Sequence, residues 1–316
     1  MHKKTILKLL LFLLTVSLIF PIYYISDLVI TSIIIKKLQK SLHSPRHQIE
    51  YFTFNNLESV IKRKFNNVEY SIYAFADKTK GSADLVRDKN KNLIIQSTDI
   101  SNIHGTIQNQ QTKDLYHFKS AYLNILHSTQ VTLYKDFYLA LAINSTPELI
   151  EMRGDSLTFN LDKETITSNK SVIFSTENAL LSGGNFLFRN GKITMSGDIF
   201  LDTDKAIISA HKLEVYTQGT KPMVSKDNQV LFQKAVFSKD VKFFDKENNV
   251  HASAKKIIID NAKQVIYLKG NAEIIRSDSV IKGDTMQYDL SKGFAKVQGK
   301  INKDTTAERV QLKIQY

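Results

Sequence analysis

Three stretches of this sequence are near-copies of one another, and their shared pattern dictates how most of the chain can fold. Gly283-Asp284-Thr285-Met286-Gln287-Tyr288-Asp289-Leu290 runs on to Gly299. Ala254-Lys255-Lys256-Ile257-Ile258-Ile259-Asp260 begins 29 residues earlier and runs on to Gly270 over the same 16-residue span. Gly154-Asp155-Ser156-Leu157-Thr158-Phe159-Asn160-Leu161 repeats the first almost position for position, and Ala210-His211-Lys212-Leu213-Glu214-Val215 is a partial echo. Apolar residues alternate in each copy, as in Met286/Tyr288/Leu290, Ile257/Ile259 and Leu157/Phe159/Leu161. A period of two is that of a β-strand, whose successive side chains point to opposite faces. Each unit therefore reads as a strand, a turn and a return strand ending in glycine, with Gly154-Asp155 and Gly283-Asp284 as turn residues. One hairpin cannot bury its apolar face alone, so successive units must stack into an elongated core with open strand edges at its ends.

The rest of the body agrees. Val68, Tyr70 and Ile72 alternate, and Phe186 and Phe188 alternate into Asn190-Gly191, followed by Ile193 and Met195. Asn-Gly between alternating apolar residues is the strongest short-range hairpin signal. Turn residues recur at Asp77–Ser82, Arg87–Asn92, Asp162–Glu164, Asp202–Asp204, Asp245–Asn249 and Ser291–Gly293. One short helix is predicted over Asn56–Phe65, where Leu57, Val60, Ile61 and Phe65 have helical spacing. Evenly spaced strands without helices between them argue for an antiparallel all-β sandwich, roll or solenoid. A division is expected near Asp202–Lys205.

The N-terminus differs. From Ile6 to Ile35 the chain is nearly all apolar, broken by Lys8, Pro21 and Asp27. Such a run is long enough to span a bilayer, and no small-residue cleavage pattern follows it. It reads as an uncleaved transmembrane helix with a cytoplasmic N-terminus. Asp27 reads as an interfacial residue, and Leu28–Leu42 as an amphipathic continuation. Lys3, Lys4, Lys8, Lys36, Lys37 and Lys40, less Asp27, supply +5 of the formal net charge of +12. The remaining +7 is spread thinly along alternating strands, without the clustered basic and aromatic face that nucleic acid requires.

Enzyme chemistry finds no footing. The sequence holds no Cys, no G-x-S-x-G and no H-E-x-x-H. Gly191-Lys192 fails as a phosphate loop, because Phe186 stands where glycine is needed and Ile193 where Ser or Thr is needed. His43 and His47 flank Pro45, which breaks the helix that would join them to one metal. His104, His117, His127, His211 and His251 stand alone in the sequence. Neither a metal nor a cofactor is expected.

His251-Ala252-Ser253-Ala254, then Val265–Gly270-Asn271-Ala272, then Ile281-Lys282-Gly283-Asp284 and Tyr288 resemble the OstA-like repeat of the lipopolysaccharide-transport LptA family. A single N-terminal anchor followed by a β-domain is similar to the LptC family of the same pathway, and Gly154–Gly197 resembles its late repeats. The resemblance implies a transmembrane helix followed by two OstA-like antiparallel β-jellyrolls (β-tacos) stacked end to end. Residues 1–42 would be the anchor and linker, 43–203 the LptC-like jellyroll and 204–316 the LptA-like one. It implies a non-enzymatic bridge in the inner membrane and periplasm. Such a bridge takes lipopolysaccharide from an inner-membrane ABC transporter along a hydrophobic groove and docks on other jellyrolls by edge-strand addition.

Candidate acyl contacts are Phe159, Leu161, Phe186, Phe188, Phe243, Ile257, Ile259, Leu268, Met286 and Tyr288. The partner edge would be Val310, Leu312 and Ile314. Lys212, Lys242, Lys255 and Lys282 are candidates for a rim facing phosphates and acidic sugars, although an ordinary solvated surface accounts for them equally. Alternation alone does not separate an open groove from a closed core, since both bury the same face. The competing reading is therefore a membrane-anchored structural or sensory β-solenoid with a closed core.

Overall fold

The computed structural model describes residues 49–65, 68–87, 93–111, 113–127, 130–142, 149–160, 163, 165–217, 232–260, 263, 265–276, 279–289, 294–298 and 311–314. The expected membrane helix lies outside the described residues. Among the described residues, no helix is long and apolar enough to cross a membrane.

The described chain is all β, and it divides into two compact units between Val172 and Ile173. The first unit is an antiparallel meander in which each strand pairs with the next. Its strands are β1 (Ile49–Phe65), β2 (Val68–Arg87), β3 (Leu93–Asn109), β4 (Leu115–Leu126), β5 (Gln130–Ala142), β6 (Leu149–Asn160) and β7 (Thr165–Ser168). The division falls within the short strand β8 (Val172–Thr176).

The second unit continues with β9 (Ala179–Gly183), β10 (Phe186–Arg189), β11 (Lys192–Thr203), β12 (Ala206–Thr217), β13 (Phe232–Asp245), β14 (Val250–Asp260), β15 (Val265–Arg276), β16 (Ser279–Asp289), β17 (Phe294–Gln298) and β18 (Gln311–Ile314). Strands β11 to β16 form an antiparallel meander. Each of its outer strands carries two short ones end to end. On β11 they are β10 and β9, and on β16 they are β17 and β18.

The Asn190-Gly191 hairpin is present. Both residues have left-handed backbone (φ 50° and 70°), and Arg189 pairs with Lys192 across them. The sequence repeats also share a turn. Asn160 Oδ1 accepts the Lys163 N–H at 2.8 Å, and Asp260 Oδ1 accepts the Lys263 N–H at 3.1 Å. Equivalent positions thus fold the chain back by the same side-chain device.

Three local readings are corrected. Asn56–Phe65 is not helical but the second half of β1, paired from Leu57 to Phe65 with β2. Asp77–Ser82 lies inside β2, and Gly154-Asp155 and Gly283-Asp284 lie inside β6 and β16. Likewise Gly270 ends no strand. It sits mid-way along β15, with Asn271 beside it at φ 79° and 51°.

The physical reason is a kink that recurs on alternate strands. Lys135-Asp136 (φ 54°, 59°) in β5, Gly197-Asp198 (80°, 28°) in β11 and Lys239-Asp240 (68°, 53°) in β13 do the same as Gly270-Asn271. At each pair the ladder skips residues, as between Ser196 and Ile199 or between Lys269 and Ala272. Such bulges bend the strand and sharpen its twist. The neighbouring strand passes close by: a Cβ on Gly154 would lie 2.8 Å from the Phe137 ring and from the Ser171 carbonyl. Glycine is there for want of space, not to make a turn.

Candidate functional site

Each unit buries one face of its sheet, and cross-strand register lines that face with unbroken apolar rows. In the second unit one row runs Met195, Leu213, Phe237, Ile257, Leu268, Met286. Every member is 3% exposed or less. A parallel row runs Phe188, Ile193, Val215, Ala235, Ile259, Ile266, Tyr288. Beyond the kinks a third row carries Leu181, Leu201, Ile208, Phe243, Ala252, Ile274 and Ile281. Phe186 is also buried, with its ring 5.7 Å from that of Phe174.

Seven of the sequence candidates are thus gathered in this unit's three rows. Ile257, Leu268 and Met286 sit side by side in the first, Phe188, Ile259 and Tyr288 share the second, and Phe243 stands in the third. Phe243 and Tyr288 are half-buried, whereas the other five are buried. Burial, followed by the Asp245 carboxylate, raises the Tyr288 hydroxyl above its usual value against a smaller opposing effect of Arg276.

Phe159 belongs to the first unit, in the row Thr98, Ile125, Val131, Phe159, Ile166. Its side chain is wholly buried. Leu161 and Val310 lie outside the described residues. Leu312 and Ile314 are in β18, opposite Ile281 and Ser279 of β16.

Met195, Leu213 and Phe237 complete the central row but were not among the sequence candidates. Phe237 is hidden in the sequence because its alternation is interrupted on both sides. Val236 before it is buried too, and Lys239-Asp240 after it kinks the strand.

The outer faces hold the ionic chemistry. Glu214 takes Lys192 at 2.6 Å and Lys212 at 3.1 Å, and accepts the Tyr216 hydroxyl at 3.3 Å. The Lys192 hydrogen bond is the main reason the Glu214 carboxyl falls to about 2, with burial opposing it. In the first unit Glu151 accepts from Tyr138 at 2.9 Å and from Arg153 at 2.6 Å. Burial first, then the Glu151 hydrogen bond, pushes Tyr138 up to about 12. Of the four candidate rim lysines, Lys212 and Lys282 are taken up by Glu214 and Glu273, whereas Lys242 and Lys255 are exposed. The Phe244 and His251 rings stack at 4.4 Å in a shallow outer depression of about 220 Å³. Among the described residues, no group of three His, Asp or Glu is placed to hold a metal ion.

Residues 184–294 match the family described as LptA/(LptD N-terminal domain) LPS transport protein. This part of the chain is thus similar to a family described as one of lipopolysaccharide-transport proteins. The match covers β10 to β16 and so includes the three interior rows apart from Leu181 of β9. Among solved structures, the chain is similar to LptH, the LptA-homologous periplasmic component of the lipopolysaccharide-transport device of Pseudomonas aeruginosa. The identity is 12% and the TM-score 0.33, over 40% of this chain and 86% of that one. No curated protein matches.

Proposed function

We propose that the chain is a non-enzymatic bridge that carries lipopolysaccharide from an inner-membrane ABC transporter across the periplasm. The observation that carries this reading is the coincidence of the transport-family match with the buried apolar rows of the second unit. In this reading the chain carries two jellyrolls, residues 43–203 LptC-like and 204–316 LptA-like, stacked end to end behind an N-terminal membrane helix. Their interiors open to take acyl chains while the sugar and phosphate headgroup stays outside. Burial of a methylene gains about 0.8 kcal/mol, so an apolar interior holds the tails without exposing them to water. A passive path of this kind has no direction of its own, and the partner ATPase supplies it. The next jellyroll adds at the edge that includes Leu312 and Ile314.

A photo-crosslinking amino acid tests this directly. Placed at Phe159 or Tyr288 in cells, it is expected to capture lipopolysaccharide, whereas the outward-facing Lys256 position gives none. Capture at Lys256 alone would sink the groove and favour the closed-core solenoid.

A further inference from the structure

Eight polar side chains are buried among the described residues, and six of them have partners. Ser71 accepts from Gln110, Asn109 accepts the Gln111 N–H, and Ser120 bonds the Tyr122 and Tyr134 carbonyls. Thr132 pairs with Thr158, Ser168 bonds the Lys170 carbonyl, and Thr203 bonds that of Ala206. The other two are Thr79 and Thr98, both 0% exposed and with no hydrogen-bond partner for either hydroxyl. A buried hydroxyl left unpaired is costly, and native interiors contain few.

These two are neighbours. Thr79 of β2 pairs with Ile100 of β3, and two residues on, Gly81 pairs with Thr98. The threonines are therefore diagonal partners on the buried face, at a Cα separation of about 7–8 Å. Gly81 places no side chain beside Thr98. Thr98 stands in the same cross-strand row as Phe159, while Ile100, next to Thr79, continues the row Leu123, Leu133, Leu157.

We infer that Thr79 and Thr98 form a recognition point for a hydroxyl group carried on an acyl chain inside the first unit. The inference rests on the reading of that interior as an acyl-chain site. A hydroxyl both donates and accepts, as each threonine does, so a lipid hydroxyl between them accepts from one and donates to the other. Two such bonds span about 5.5 Å, which matches diagonal side chains. A plain hydrocarbon satisfies neither threonine, so the pair selects hydroxylated chains over unsubstituted ones of the same length.

The test uses the full chain in lipid nanodiscs and displacement of a fluorescent acyl probe by two competitors. These are tetradecanoic acid and the same acid hydroxylated at its third carbon. Wild type is expected to prefer the hydroxylated acid by about five- to ten-fold, the worth of one net hydrogen bond. The isosteric double variant Thr79→Val/Thr98→Val should bind the plain acid at least as well, with an unchanged circular-dichroism spectrum, and lose the preference. Thr79→Ser/Thr98→Ser should keep it. If wild type binds both acids equally, the inference is overturned while the acyl-chain reading stands. If neither acid displaces the probe, both fall together.

Discussion

Among the described residues, Glu214 is the carboxylate most firmly held in its charged form, and its chemistry sets an acid limit on the second unit. Its value falls from 4.5 unfolded to about 2 folded, so its contribution is present above about pH 4.5 and is lost as pH falls toward 2. Glu214→Gln is expected to cost about 1–3 kcal/mol at pH 7. The gap from wild type should narrow steadily in urea melts between pH 4.5 and 2. Backbone strain acts at the same scale. Gly270 has φ 79°, and a Cβ there would lie 3.1 Å from the Lys255 side chain. Gly270→Ala should therefore lose about 1–2 kcal/mol by thermal or chemical melting. Lys239→Gly, at the matching kink of β13, relieves a left-handed side chain and is not expected to destabilise.

At the level of elements, legibility depended on whether a local signal had one structural meaning. Asn190-Gly191 was readable because two consecutive left-handed residues between short alternating strands make a hairpin turn. Gly270-Asn271 has the same chemistry but sits mid-strand, and nothing within ten residues distinguishes a turn from a kink. Leu57, Val60, Ile61 and Phe65 have helical spacing, yet pairing with β2 decides their fate. Leu57 is buried at 4% and Val60 is left 60% exposed. The interior rows were legible wherever alternation ran clean, as in Ile257/Ile259 and Met286/Tyr288. The threonine pair was not, because an inward Thr and an outward Thr look alike until register is known. The element most exposed to the proposed docking role is β18, which covers only Ser279–Lys282 of β16. Leu312→Pro removes an N–H from a four-residue strand. The proposal predicts that the variant no longer co-purifies a partner jellyroll, and undiminished co-purification would count against that role.

For the molecule as a whole, the proposed transport role demands that the chain hold lipid without a partner present. Purified full-length protein should yield lipopolysaccharide by mass analysis, in excess of an unrelated protein prepared alongside from the same cells. An equal yield would favour the closed-core solenoid. The charge pattern does not favour a nucleic-acid binder, because acidic partners such as Glu214 and Glu273 already occupy several lysines of the outer face. The regular kink carries a consequence for how such a chain can change length over evolution. Kinked strands alternate with strands that pass alongside them, so losing an unkinked strand such as β12 or β14 would bring two left-handed pairs into adjacent positions and break the ladder between them. Losing or copying a hairpin leaves every kink facing its proper neighbour. Insertions and deletions are therefore tolerated in steps of two strands, and relatives of different length should differ by whole hairpins.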